Sequence, residues 1–345
     1  MIRVGVVGAT GYAGAEVVRL LTRHPQATIT ILTSGSSAGK QAHEPAPQLR
    51  GLNLPTLEKF DIKRVAEACD VAFLAQESGF AIRHARSLLD AGIKIIDLSA
   101  DFRLDDPLAY PKWYKMDHAE PNLLGEALFG MCELTDHSLY TKARLVANPG
   151  CYPTGSSLAV APLIKAGLGN GTIVIDAKSG VSGAGRSKIS LDYHFCEIEG
   201  SFKAYNPVAH RHVPEIEQTF KRLSGSDTLI RFTPHLMPIA RGIFTTAYVP
   251  IKEVPVSLTA LYEEFYRGQP FVQVLPEGQI PATKHVFGSN SCHVSVTFDP
   301  RTNYAVCFSV IDNLVKGAAG QAVQNMNLLF GLDETCGLDI AGIYP

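Results

Sequence analysis

Ile2-Arg3-Val4-Gly5-Val6-Val7-Gly8-Ala9-Thr10-Gly11-Tyr12-Ala13-Gly14-Ala15-Glu16 decides the fold. Apolar residues fill Ile2–Val7, glycines interrupt at Gly8, Gly11 and Gly14, and apolar residues then recur at helical spacing over Ala13–His24. Strand, glycine turn and helix in that order are the first half of a βαβ unit. The alternation continues, with strand candidates at Thr28–Thr33, Asp70–Ala75, Lys94–Leu98 and Arg144–Ala147 and helix-like stretches such as Gly79–Ala91 between them. Strands apolar on both faces and separated by helices imply an α/β fold, a doubly wound parallel sheet with right-handed crossovers.

After Pro149-Gly150 the pattern changes. A helix expected over Thr154–Ala166, with Thr154 as its N-cap, leads into strand candidates at Thr172–Lys178, Leu229–Thr233, Ile243–Pro250, Phe271–Leu275, Cys292–Phe298 and Tyr304–Ile311. Helices are expected near Glu215–Leu223 and Ser257–Arg267. Strands that mostly follow one another give a second, α+β domain on a mixed, largely antiparallel sheet. The expected division is residues 1–150, completed by a C-terminal helix at about 313–331, and residues 151–312.

A chain of 345 residues fits two domains of about 150 residues each. Hydrophobic residues at 46% and charged residues at 19% exclude disorder and collagen-like repeats. Thirty-one Lys and Arg against 33 Asp and Glu leave a formal charge of −2, with no basic excess for a nucleic-acid partner. No apolar run reaches the ~18 residues that span a bilayer, so no membrane partner is expected. The first residues run straight into the apolar strand without a signal-peptide pattern, and the 7 Cys have irregular spacings and no CxxC pair. A disulfide framework, a structural zinc site and any other bound metal are therefore not expected, and a cytoplasmic location is. A flat mixed sheet in the second domain suggests burial against a second copy, as a homodimer or homotetramer.

The loop Gly8, Thr10, Gly11, Tyr12, Gly14 sits where a Rossmann-type dinucleotide site requires it, between a strand and a helix. Glycine permits the tight turn and the approach of backbone to pyrophosphate, and the helix end presents N–H groups and a positive dipole. Its spacing is GxxGxxG, and a nucleotide-free glycine turn is the plainer alternative. Beyond the second strand, Ser34, Ser36, Ser37 and Lys40 offer hydroxyls and a cation, and no carboxylate is present to bind a ribose 2′-OH. That set suits a 2′-phosphate, and so NADP over NAD, against the alternative of a solvated loop.

Cys151, in Asn148-Pro149-Gly150-Cys151-Tyr152-Pro153-Thr154, stands between a strand and a helix. A thiol of ordinary pKa about 8.5 becomes a nucleophile when a helix N-terminus or a cation stabilises its thiolate. Cys69, Cys132, Cys307 and Cys336 read as small buried hydrophobes, while Cys196 and Cys292 are open. His210-Arg211-His212-Val213-Pro214-Glu215 supplies two imidazoles for proton transfer, a guanidinium for an anionic substrate and a carboxylate to orient a ring. A metal site or a plain polar loop before a helix are the competing readings of that stretch.

Together with Asp97–Leu104 and Lys178–Arg186, these motifs resemble the N-acetyl-gamma-glutamyl-phosphate reductase family of arginine biosynthesis, nearly end to end. That family is similar in plan to aspartate-semialdehyde dehydrogenase. The resemblance implies NADPH-dependent reductive dephosphorylation of an acyl phosphate through a thioester on Cys151. It implies His210 as the acid/base residue with Glu215 orienting it, His212 being the second choice. Arg103, Ser182, Arg186 and Arg211 are the expected substrate contacts, and Ser179, Gly180 and Asn313 the expected neighbours of the nicotinamide. The alternatives are a reductase of a related acyl phosphate (aspartyl, or carrier-linked aminoadipyl) and a non-catalytic nucleotide-binding subunit.

Overall fold

The computed structural model describes residues 1–252 and 257–344. They divide into two compact units: Met1–Pro149 with Gly185–Ser187 and Ala318–Asp339, and Gly150–Ala184 with Lys188–Gly317 and the residues from Ile340 on.

The first unit holds seven strands, β1 (Ile2–Val7), β2 (Ala27–Thr33), β3 (Leu57–Glu58), β4 (Val71–Leu74), β5 (Lys94–Asp97), β6 (Leu128–Phe129) and β7 (Leu145–Ala147). Their order is β3-β2-β1-β4-β5-β7-β6, and every pairing is parallel. The doubly wound, Rossmann-type sheet read from the sequence is present. β4 is buried at all four positions, as a strand covered on both faces must be. The order runs outward in both directions from β1 and β4, and the Gly8 loop leaves β1 at that switch point, where open α/β sheets place their ligands.

Two-residue strands β3 and β6 were not expected, being too short for any periodicity. The helix Gly320–Leu329, preceded by a π-helical turn over Val315–Ala319, replaces the single helix expected from residue 313. It belongs to the first unit and is buried nearly all round, in polar as well as apolar positions. Asn325 explains how: its amide donates to Gly130 O and to Asn148 Oδ1, each at 3.0 Å, and accepts from Tyr140 Oη at 2.6 Å. A fully satisfied buried network of this kind holds the end of β7 in one arrangement.

The second unit carries β8 (Ile173–Gly180), β9 (Lys203–Ala204), β10 (Ile230–Met237), β11 (Ile243–Pro250), β12 (Val272–Val274), β13 (Cys292–Asp299) and β14 (Tyr304–Ile311), in the order β12-β13-β14-β11-β8-β10-β9. β8–β10 and β12–β13 are parallel and the other four pairings antiparallel, the mixed, largely antiparallel sheet that was expected. On β8 the alternation is plain: Ile173, Ile175 and Ala177 are fully buried while Val174, Asp176 and Lys178 are half-buried. The helix Cys151–Lys165 packs on β11 and β14 and is buried from Tyr152 to Ile164.

Candidate functional site

The glycine loop is built by steric demand at two of its glycines and not at the third. Gly8 has φ +94°, and a β-carbon there would lie 2.2 Å from Ala75 O. A β-carbon on Gly14 would lie 2.1 Å from Gly8 O, so helix and turn touch through bare backbone. Gly11 is different. Its φ of −70° suits any residue, and the nearest atom to an added β-carbon is 3.7 Å away. Gly11 is the N-cap of the helix Tyr12–Leu21, and no side chain caps that helix. The one glycine without a packing reason thus borders a helix start with open N–H donors, a cradle that a side chain would fill and a pyrophosphate fits.

Around this loop, Thr10 Oγ1 and buried Ser34 Oγ lie 3.0 Å apart, and Ser34 Oγ accepts from Ser37 N–H at 3.3 Å. Ser36 and Lys40 are exposed and Ser37 is half-buried. Tyr12 is exposed at the helix start. Arg186, expected at the substrate, belongs to the first unit, where its guanidinium donates to Thr10 O at 3.1 Å and Pro45 O at 2.7 Å.

Arg103 departs further from expectation. It is 7% exposed, and its guanidinium donates to Asn148 O at 2.8 Å and Leu98 O at 2.9 Å. Long cationic side chains are buried when carbonyls replace water around them, and here the guanidinium braces backbone instead of standing open to a ligand. Near it, Asp101 accepts from Gly79 and Ile82 N–H at the start of the helix Phe80–Asp90. Burial, with the charge of Asp101 added, raises Asp97 to about 7.

In the second unit the helix begins at Cys151 itself, with Gly150 as N-cap. Thr154, expected to be the cap, lies inside the first turn, where its N–H and Oγ1 both donate to Gly150 O at 3.0 Å. Pro153 masked the true start in the sequence, yet proline is tolerated in a first turn because no N–H is needed there. Cys151 is partly exposed.

The residues on either side of Cys151, Gly150 and Tyr152, meet the predicted acid/base groups. Fully buried Glu215 accepts from Gly150 N–H at 2.9 Å, and its other oxygen is 3.8 Å from His212 Nε2. Glu215, expected to orient His210, is therefore tied to the helix start and faces His212. The Tyr152 ring lies edge-on to His210 at 5.5 Å and to His212 at 5.9 Å between centroids. His210 is further enclosed by Tyr205 at 5.5 Å and Phe232 at 5.4 Å. Burial, helped by the charge of Arg211, pushes His210 down to about 4, so the ring is neutral at pH 7. The N–H of His212 donates to His210 Nδ1 at 3.2 Å, which assigns the ring proton to Nε2.

Tyr205 Oη donates to Tyr152 Oη at 3.0 Å, and Tyr152 Oη to His235 O at 3.2 Å; burial raises both phenols, which stay protonated. Reasoning from sequence passed over Tyr152, Tyr205 and Phe232. Tyr152 stood inside the cysteine motif; the other two carry no local signal. The approach to His210 contains Asn206 at φ +43° and Val208 at φ +57°, the latter a costly backbone for a β-branched residue. Arg211 is exposed.

Gly180 ends β8, and a β-carbon there would meet the Ala240–Arg241 peptide at 2.8 Å, so this glycine has a packing reason. Ser179 is buried and donates to Gly180 O at 2.9 Å. Asn313 lies ahead of the last helix and not at its start. Its amide donates to Ser182 Oγ at 2.9 Å and accepts from Gly242 N–H at 2.7 Å, joining the Ser182 loop to the β10–β11 connection. Among the other cysteines, Cys69, Cys132, Cys292 and Cys307 are buried and Cys196 is exposed, while Cys336 is only partly buried, against expectation. The described residues hold no cluster of His, Cys, Asp and Glu fit for a metal, and no helix among them is long and apolar enough to cross a membrane.

Comparison with known proteins gives the class. Residues 3–141 match the family described as semialdehyde dehydrogenase, NAD binding domain, and residues 151–313 match semialdehyde dehydrogenase, dimerisation domain. Aspartate semialdehyde dehydrogenase II of Vibrio cholerae, complexed with ASA, superposes with a TM-score of 0.75 at 17% identity, covering 96% of this chain and 98% of that one. The enzyme with NADP from Candida albicans gives 0.68 at 15% identity, over 96% and 98%. Fold and matched domains define an oxidoreductase of the semialdehyde dehydrogenase class with a nicotinamide-cofactor domain.

Full-length relatives narrow this. The proteins named N-acetyl-gamma-glutamyl-phosphate reductase in Desulforamulus reducens and Ectopseudomonas mendocina are 50% and 49% identical, covering all of this chain and all of each relative. This chain belongs to the N-acetyl-gamma-glutamyl-phosphate reductase family.

Proposed function

We propose that the protein converts N-acetyl-L-glutamyl 5-phosphate to N-acetyl-L-glutamate 5-semialdehyde in arginine biosynthesis, through a thioester on Cys151 and with NADPH as reductant. The observation that carries this is the placing of Cys151 at the first position of a buried helix, with Gly150 bonded to Glu215 and Tyr152 packed on His210 and His212.

The Cys151 thiolate attacks the acyl carbon and phosphate leaves, giving an acyl group that accepts hydride where a carboxylate would not. NADPH, when bound, supplies that hydride. The oxyanion of the resulting hemithioacetal needs donors. Pro153 has no N–H and Thr154 N–H is used on Gly150 O, which leaves the Tyr152 N–H as a first-turn donor for it. His210, neutral with its proton on Nε2, donates a hydrogen bond to that oxygen, which re-forms the carbonyl of the aldehyde as the thiolate departs. His212 beside Glu215 is the alternative donor. Glu215 positions the start of the helix.

Gly8, Thr10, Gly11, Tyr12 and Gly14 hold the cofactor's pyrophosphate. Ser34, Ser36, Ser37 and Lys40 take its 2′-phosphate, which favours NADP, and Ser179, Gly180 and Asn313 shape the nicotinamide's surroundings. Arg211 and Ser182 receive the substrate's carboxylate and phosphate. The protein works in the cytoplasm as a homodimer or homotetramer.

The test runs the reaction backwards, with N-acetylglutamate semialdehyde, NADP and phosphate, and follows NADPH absorbance, aspartate semialdehyde being the control substrate. Wild type turns over the first and not the second. Cys151→Ser keeps NADPH affinity and loses turnover; full turnover in that variant refutes the covalent route.

A further inference from the structure

One short turn of the second unit, Asp312–Gly317, is tied down at an unusual number of points. The Asp312 carboxylate is fully buried and accepts from the N–H groups of Leu314 at 2.8 Å, Val315 at 3.2 Å and Gly288 at 2.8 Å. Gly317 N–H reaches back five residues to Asp312 O at 2.9 Å, the hydrogen bond of a π-turn. Such turns are uncommon and gather at functional sites. Lys316, fully buried, sets its ammonium 5.6 Å from the centre of the Phe271 ring.

What the turn presses against is Cys151. A β-carbon added to Gly317 would lie 2.8 Å from Cys151 Cβ and 3.3 Å from Cys151 Cα, with Ile311 Cδ1 also at 3.3 Å. Those two cysteine atoms cannot swing aside. They are fixed to the first residue of a helix whose cap is held by Glu215, so they move only if the helix start moves.

We infer that Gly317 is a positioning residue for Cys151: its bare backbone lets the π-turn back the cysteine at van der Waals distance and so fixes the direction of the sulfur. This rests on the reading of Cys151 as the nucleophile. A site that orients its nucleophile to within a few tenths of an ångström loses rate steeply when that atom is displaced.

The test compares wild type, Gly317→Ala, Gly317→Ala/Ile311→Val and Cys151→Ser. It reads kcat and KM for the acyl phosphate, NADPH affinity, and the pH dependence of Cys151 alkylation by iodoacetamide, followed on the Cys151 peptide so that exposed Cys196 does not interfere. For Gly317→Ala the expected result is a fall of about 10- to 100-fold in kcat. KM and NADPH affinity hold within about 3-fold, and the alkylation profile is altered. Ile311→Val relieves only the aliphatic contact and does not restore kcat. The inference is overturned if kcat and alkylation stay within about 2-fold of wild type, if the double variant recovers, or if kcat falls with an unchanged alkylation profile. Loss of the folded state in both variants also overturns it, by assigning Gly317 to folding. Retained turnover in Cys151→Ser is a separate failure, that of the nucleophile itself.

Discussion

Acidification should weaken this fold through His210 in a way that one substitution isolates. The ring is 7% exposed and its pKa falls from 6.5 to about 4, first through burial and then through Arg211. A histidine held neutral in the fold binds its proton more readily when unfolded, so its contribution is complete above pH 6.5 and is lost as pH falls toward 4. At about 1.4 kcal/mol per pH unit the whole gap is worth about 3 kcal/mol, of which about 2 kcal/mol is gone by pH 5. Burial lowers other histidines too, His24 and His118 among them, but His210→Gln removes only this one. The stability difference between wild type and His210→Gln, from urea unfolding at pH 7, 6 and 5, should therefore shift by about 2 kcal/mol against wild type. The Cε1–H resonance of His210 should titrate near 4 in the same protein, and Arg211→Ala should move that midpoint up. A midpoint near 6.5 with a pH-independent stability difference would refute the burial that is held to lower the ring's pKa.

Four further outcomes follow from contacts elsewhere in the two units. Glu215→Ala leaves Gly150 N–H buried without its acceptor and should cost about 2–3 kcal/mol, whereas Glu215→Gln keeps an oxygen there and should cost about 1 kcal/mol; equal melting shifts would show the bond to be idle. Gly14→Ala, with its β-carbon 2.1 Å from Gly8 O, should destabilise by about 3 kcal/mol or more. Gly11→Ala, with 3.7 Å of room, should fold normally and lose at least about 10-fold in NADPH affinity, measured by calorimetry. Replacing Ser36, Ser37 and Lys40 together with alanine should weaken NADPH more than NADH in fluorescence titrations, and equal losses would undo the 2′-phosphate assignment.

Ile2–Gly14 was legible because strand period, glycine spacing and helix period all change within it, and each change has a steric cause in the fold. Cys151 and the His210–Glu215 stretch stood out because few residue types can do nucleophilic or acid/base work, and the fold ties the two stretches together through Gly150 and Tyr152. Where the helix starts was not, because Pro153 and Thr154 both look like N-terminal residues and only the packing of Gly150 and Glu215 decides between registers. The backbone carbonyls that hold Arg103 and Arg186 were hidden for a related reason: an arginine bonded to main-chain oxygen leaves no trace in residue identity at its partner. The ties of the Asn313 amide to Ser182 and Gly242 were likewise invisible in the sequence. Gly317 is one of 30 glycines, and nothing but the nearness of Cys151 distinguishes it.

Val208 sits at φ +57° two residues before His210, with its side chain largely in water. A glycine or asparagine would adopt that backbone without penalty, so the valine keeps the segment under tension worth about 1–3 kcal/mol. A taut tether has little slack, and the imidazole at its end is correspondingly restrained. Relieving the backbone penalty and restraining the ring are therefore opposed demands on this one position.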